Sequence, residues 1–176
     1  HKGAGMLLYP AQVAEVLAPI AEYPEIQFSL KMRLGWENAS ECMVLVELLN
    51  ALRLSRIALH ARTGKQQYKG HPDLEAFQGF YELCQHPLYY NGGIESLSDI
   101  RQILIRFPLL KGVFIGRGLL SSPLLAKEFK GNETFLPEQR MSIYFAFHEE
   151  LFSAYSQVLQ GETQLLVKMK TLWEYF

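Results

Sequence analysis

Tyr90-Asn91-Gly92-Gly93-Ile94 closes a short apolar run and precedes a helical pattern, and Ile115-Gly116-Arg117-Gly118 repeats that arrangement further along. A strand that ends in glycines and feeds a helix exposes backbone N–H groups at a positive helix end. Such a turn holds a phosphate without needing a side-chain charge. Two of them in succession lead to the expectation of one phosphate gripped between neighbouring strand ends.

Working back from these turns, residues 26–34 alternate, with Phe28, Leu30 and Met32 on one face and Ser29, Lys31 and Arg33 on the other. Period two predicts a strand. Residues 56–62 predict a second, which sets Ala58, His60 and Arg62 on one face; 88–91 and 112–116 predict a third and a fourth. Helical spacing fills the gaps: 9–22 before the first strand, then 39–52, 73–85 and a helix begun by Ser96 and stopped by Pro108. Lys31 to His60 is 29 positions, His60 to Asn91 is 31 and Asn91 to Gly116 is 25. A βα unit takes roughly 30 residues, so these are four consecutive units with a polar residue at every strand top. Strands alternating with helices form a parallel sheet. The active rim then belongs to a (βα)8 barrel or a doubly wound sheet, and the barrel is favoured because phosphate sites after its last strands are common.

After Lys130 the pattern changes. A short linker, Gly131-Asn132-Glu133-Thr134, leads to two helical stretches, 137–160 and 162–175, with no strand between them. The expected division is 1–130 for the α/β part and 131–176 for a small all-helical domain.

Composition narrows the function. The net charge of −1 gives no global basic footprint, so nucleic-acid contact would come from a local patch. No apolar run approaches the length of a membrane span. The only cysteines, Cys42 and Cys84, fall in helical patterns and fit free thiols in a reducing cytosol. No metal-ligand spacing and no protein partner is evident.

Four motifs then line up in order. Lys31-Met32-Arg33-Leu34-Gly35-Trp36 resembles the K-x-R-x-G strand of tRNA-dihydrouridine synthases. His60-Ala61-Arg62-Thr63, followed by Gln67, Tyr68 and Gly70, resembles that family's H-x-R-T…Y-x-G. Asn91-Gly92-Gly93-Ile94 is similar to its N-G-D-I turn, with Gly93 replacing the usual Asp, and Gly116-Arg117-Gly118 is similar to its G-R-G turn. Gly3-Ala4-Gly5 looks like the tail of its catalytic loop. The resemblance implies the second half of an FMN-binding TIM barrel, strands five to eight, followed by helices that bind tRNA. It implies a cytoplasmic enzyme that reduces uridine in tRNA. NADPH would reduce FMN, hydride would pass to C6, and a catalytic Cys in an N-x-G-C-P loop would protonate C5. No such loop is present, so that Cys is expected upstream of His1 and the chain is expected to be a fragment of a longer enzyme.

The resemblance carries roles onto Lys31, His60, Asn91, Gly92, Gly93, Gly116 and Arg117 as flavin contacts, and onto Arg33, Arg62, Lys168 and Lys170 as substrate or tRNA contacts. Each residue also has a plainer reading. Lys31 could snorkel at a strand end. His60 could be a buried histidine bonded to a neighbouring strand. Arg33 and Arg62 could make ion pairs. Gly92 and Gly93 could serve a turn that only needs positive φ. Lys168 and Lys170, near Trp173, could be a solvated helix face. Two other functions stay open: a different FMN barrel dehydrogenase acting on a small molecule, of the dihydroorotate type, and a non-catalytic RNA-binding half-barrel.

Overall fold

The computed structural model describes residues 2–175; His1 and Phe176, the outer bounds of the expected division, lie outside them. By compactness the chain divides into two units. One comprises residues up to Ile94 together with Asp99–Phe114, the other Glu95–Ser98 together with Ile115 onward.

In the first unit, a 3-10 turn (Gly3–Leu8) leads into α1 (Pro10–Leu17), which starts on a proline whose missing N–H is no loss at that position. The alternating stretch forms β1 (Phe28–Gly35). A 3-10 turn (Glu41–Leu45) and α2 (Val46–Ala51) return the chain to β2 (Leu54–Thr63). Then follow α3 (Leu74–Leu83), β3 (Leu88–Asn91), α4 (Leu97–Arg106) and β4 (Gly112–Phe114). The expected helix over 39–52 is thus half 3-10 turn, and Cys42 sits in that half.

All four strands are parallel, in the order β1-β2-β3-β4. Spatial order equals sequence order, so the chain never reverses its direction across the sheet. A doubly wound sheet reverses at a switch point; a single winding direction is the order of a (βα)8 barrel. The fold is α/β, with a four-stranded parallel sheet consistent with part of such a barrel.

The core lies on one face of the sheet. Ile57, Leu59, Ala61, Leu88 and Tyr90 are buried there, as are Phe77 and Phe80 of α3 and Ile100 of α4. Phe77 meets Tyr90 and Phe107 edge-on, each at 5.0 Å between ring centres, and Tyr81 meets Phe107 at 5.2 Å. Each such pair adds about 0.5–1.5 kcal/mol beyond its buried area. Asp73 caps α3 by accepting the Ala76 N–H at 2.9 Å, a bond whose loss typically costs about 1 kcal/mol. The helix stops at Leu83, so Cys84 is its C-cap and not part of its stripe.

β4 is shorter than its sequence predicts. Its partner β3 ends at Asn91, opposite Phe114, so no strand backbone remains to pair with Ile115 and Gly116. Gly116 instead caps the next helix.

In the second unit, α5 (Arg117–Ser121) and α6 (Leu125–Gly131) precede two longer helices, α7 (Pro137–Val158) and α8 (Glu162–Trp173). Asn132 ends α6 in the left-handed region at φ +48°, and Gly161 turns α7 into α8 at φ +89°. The buried Glu128 carboxylate of α6 pairs with the Arg140 guanidinium of α7, whose Nε also donates to the Phe135 carbonyl at 3.3 Å. That pair fixes the 132–136 connection at both ends. No residue of α7 is buried. No helix among the described residues is long and apolar enough to cross a membrane.

Candidate functional site

Register decides which side chains share a face. Arg33 pairs with His60, His60 with Asn91 and Asn91 with Phe114, which makes one row across all four strands. Lys31, Ala58, Tyr89 and Gly112 form the row below it. Side chains two apart on a strand point the same way, so both rows face away from the helix-covered core. The first unit therefore has an apolar face packed under helices and a polar face carrying Lys31, Arg33, His60, Arg62 and Asn91 near the C-terminal strand ends.

Lys31 is exposed on β1, and partial desolvation with the neighbouring Arg33 charge holds its ammonium below its ordinary pKa. A cation disfavoured in this way gains from a negative group placed against it. Lys31 and Arg33 also border a cavity of about 390 Å³ whose other walls, including Leu7, Val13, Leu17 and Leu30, are mainly apolar.

His60 is 7% exposed and its ring centre lies 6.5 Å from that of Tyr68. Arg62 is 4% exposed, and its Nη1 donates to the Lys69 carbonyl at 2.6 Å. Arg33 Nη1 donates to the Thr63 carbonyl at 2.6 Å, with the Tyr68 ring 6.0 Å away. Asn91 Nδ2 donates to the Phe114 carbonyl at 2.9 Å, so its side chain ties β3 to β4 at the rim.

Beyond Asn91 the chain passes through Gly92 at φ +143° and Gly93 at φ +56°. A Cβ on Gly92 would stand 3.2 Å from the Tyr90 hydroxyl; one on Gly93 would stand 3.0 Å from Pro72. Both positions need glycine, and the turn stays bare backbone. Burial pushes the Tyr90 phenol beneath it up to about 12, against the pull of Arg62 and with a smaller push from Asp99, so it stays a neutral hydroxyl. The turn lies beside a second cavity of about 390 Å³, bordered by His71, Asp99 and Arg106.

The remaining expected residues belong to the second unit. Gly116 is the exposed N-cap of α5, and Arg117 is its first residue. Lys168 stands over the Tyr155 ring at 5.3 Å, and Lys170 is exposed on the same helix. The Trp173 indole N–H donates to His148 Nε2 at 3.0 Å.

Sequence reading missed a second strand-top device. The Trp36, Glu37 and Asn38 backbone N–H groups all donate to the Glu41 carboxylate, at 2.7, 3.1 and 2.8 Å. Burial works to raise the pKa of Glu41, but these three donors and Lys65 outweigh it, and the net shift is downward. Gly35 permits the turn, since a Cβ there would stand 1.9 Å from the Asn38 carbonyl oxygen. Only the glycine signalled this in the sequence.

Neither thiol suits proton transfer near neutrality. Burial pushes Cys42 up to about 12, with Glu41 adding to the shift, and burial likewise raises Cys84. Among the described residues no group of His, Cys, Asp or Glu side chains is placed to hold a metal ion.

The family model for dihydrouridine synthases matches residues 1–176. The chain is 34% identical over 134 residues to a probable tRNA-dihydrouridine synthase of Aquifex aeolicus, covering 74% of this chain and 42% of that one. It is 30% identical over 124 residues to a probable tRNA-dihydrouridine synthase of Rhizobium leguminosarum, covering 70% and 39%. To tRNA-dihydrouridine synthase B of Vibrio vulnificus it is 25% identical over 140 residues, covering 77% and 43%. The chain thus spans less than half the length of these relatives.

Proposed function

The chain belongs to the dihydrouridine synthase family, and from that premise we propose that it carries the cofactor-holding part of an enzyme that reduces uridine to 5,6-dihydrouridine in tRNA. The observation that carries the reading is the polar sheet face. Lys31, His60 and Asn91 come from three consecutive parallel strands, and the bare Gly92-Gly93 turn continues from the third.

The residues suit FMN. Lys31 offers a cation whose charge is disfavoured until an electron-rich ring edge lies against it. Gly92 and Gly93 offer backbone N–H groups, with no Cβ to block a phosphate. Gly116 and Arg117 follow β4 by two and three residues, and an amide and a guanidinium are donors of the kind that suits a dianion. FMN, reduced in turn by NADPH, would supply the electron pair for the uridine C5–C6 bond. His60 would wall the ring side of the site, and Asn91 would hold the rim at which the phosphate turn begins.

In this reading residues 1–130 are the second half of a TIM barrel and 131–176 a helical tRNA-binding domain. Lys168 and Lys170 would meet RNA backbone, as exposed cations beside an aromatic can. The target base must leave its stack to meet the ring, at a cost of a few kcal/mol. The cysteine that would protonate C5 is expected outside this chain. The enzyme would work in the cytoplasm, where tRNA is.

The test is dihydrouridine in tRNA. Unmodified tRNA incubated with the full-length protein, FMN and NADPH should gain dihydrouridine, read by nucleoside mass spectrometry. A flavin-loaded protein that oxidises NADPH yet leaves tRNA unchanged would support a small-molecule reductase instead. A colourless protein that still retards tRNA would support a non-catalytic RNA binder.

A further inference from the structure

Residues 64–70 follow β2 and carry an exposed outer edge at Lys65, Tyr68 and Lys69. The segment has no regular structure, yet it is tied down along its length. The Gly64 N–H donates to the Gly35 carbonyl at 2.7 Å and the Lys65 N–H to the Trp36 carbonyl at 2.9 Å. Arg33 takes the Thr63 carbonyl and reaches the Gln67 carbonyl at 3.4 Å. Gln67 itself stands in the left-handed region at φ +52°. The Lys69 carbonyl receives two donors, Arg62 Nη1 at 2.6 Å and Gln66 Nε2 at 2.9 Å, and the latter also bonds the His71 carbonyl at 2.8 Å.

We propose that Arg62, with Arg33 and Gln66, is a positioning residue: it holds the 64–70 loop as a preformed edge against which RNA is placed, and does not itself meet RNA phosphate. This rests on the tRNA reading above. Arg62 is too buried for a phosphate to reach it without dismantling the loop, and its guanidinium is directed at a backbone carbonyl. A loop fixed before binding loses less freedom when the ligand arrives. The two arginines of the K-x-R and H-x-R motifs thereby turn side-chain charge into backbone order, and the exposed Lys65, Tyr68 and Lys69 form the edge presented to RNA.

The test compares full-length wild-type protein with Arg62→Lys and Gln66→Ala, using FMN content, tRNA kinetics and the salt dependence of tRNA binding. Arg62→Lys should raise KM for tRNA about tenfold, the value of a charged hydrogen bond. Gln66→Ala, which removes a neutral donor from the same carbonyl, should raise it about threefold. Both should keep kcat and FMN content near wild type, and both should leave the slope of log affinity against log salt unchanged. Trypsin should cut after Lys65 and Lys69 faster in both variants. A slope reduced by roughly 0.7–0.9 in a third variant, Arg62→Gln, which removes the charge that lysine keeps, would mean that Arg62 neutralises a phosphate itself, and the proposal fails. If Arg62→Lys does not fold, Gln66→Ala decides: an unchanged KM overturns the proposal. Absence of dihydrouridine with the wild-type protein sinks the functional reading, whereas a null result confined to the variants sinks only this one.

Discussion

At Lys31 the folded chain binds its proton less tightly than the unfolded chain does, because partial desolvation and Arg33 lower the pKa. Between that lowered value and 10.5 the unfolded state carries more protons, so stability from this group rises with pH through that window. Below it, the charge is a burden on the fold. Lys31→Met is therefore expected to leave the melting temperature unchanged or higher at pH 7, while FMN affinity falls about tenfold or more, as for a lost charged contact. A paired thermal melt and FMN titration would check this; a variant that melts lower and binds FMN normally contradicts the assignment. Gly92 is the opposite case, a residue the fold requires. Gly92→Ala, at φ +143° with a Cβ 3.2 Å from the Tyr90 hydroxyl, should cost about 1–3 kcal/mol in a urea titration. The sequence disclosed these glycines because a glycine pair after an apolar run has few other uses. It could not disclose Glu41, whose partners are backbone N–H groups and carry no residue signature.

The elements were legible where periodicity and spacing agreed. Intervals of 29, 31 and 25 positions led to four parallel strands in one sheet, but of the spaced residues only His60 and Asn91 share a row: Lys31 lies one row below, and Gly116 lies past the end of β4. The errors fell where neighbours decide, as in β4, which stops where β3 stops offering partners. The turn after β1 is one such neighbour effect, and it titrates. The pKa of Glu41 is lowered in the fold, so its stabilisation is complete above 4.5 and is lost as pH falls through the lowered value. Glu41→Gln should cost about 1 kcal/mol at pH 7, since solvent screens a partly exposed carboxylate. Melts at descending pH should show the gap to wild type closing below 4.5; a gap that stays constant into acid would refute the charge-based explanation. In the second unit, Arg140→Met would strand the Glu128 carboxylate, which is 4% exposed. Removing the partner of a buried charge costs about 3–5 kcal/mol, so α7 should lose amide-exchange protection before α3 does.

For the molecule as a whole, the sequence predicts an α/β part and a helical tail, and the family match spans residues 1–176. The tail was less readable. α7 has the composition of a packed helix, with Phe145 and Phe152 among its aromatics, yet both are exposed and none of its residues is buried. Periodicity reveals a helix; it does not reveal what a helix packs against. The central physical claim is that bare amides at a strand end grip the anionic tail of a flavin whose ring lies towards Lys31. Titrating the full-length protein, stripped of cofactor, with FMN and with riboflavin isolates that grip, because the two ligands share the ring and differ by the phosphate. FMN should bind at least about a hundredfold more tightly, the equivalent of about 2.8 kcal/mol. Equal affinity for the two would mean that no phosphate is held at Gly92 and Gly93, and the assignment of this site would be wrong.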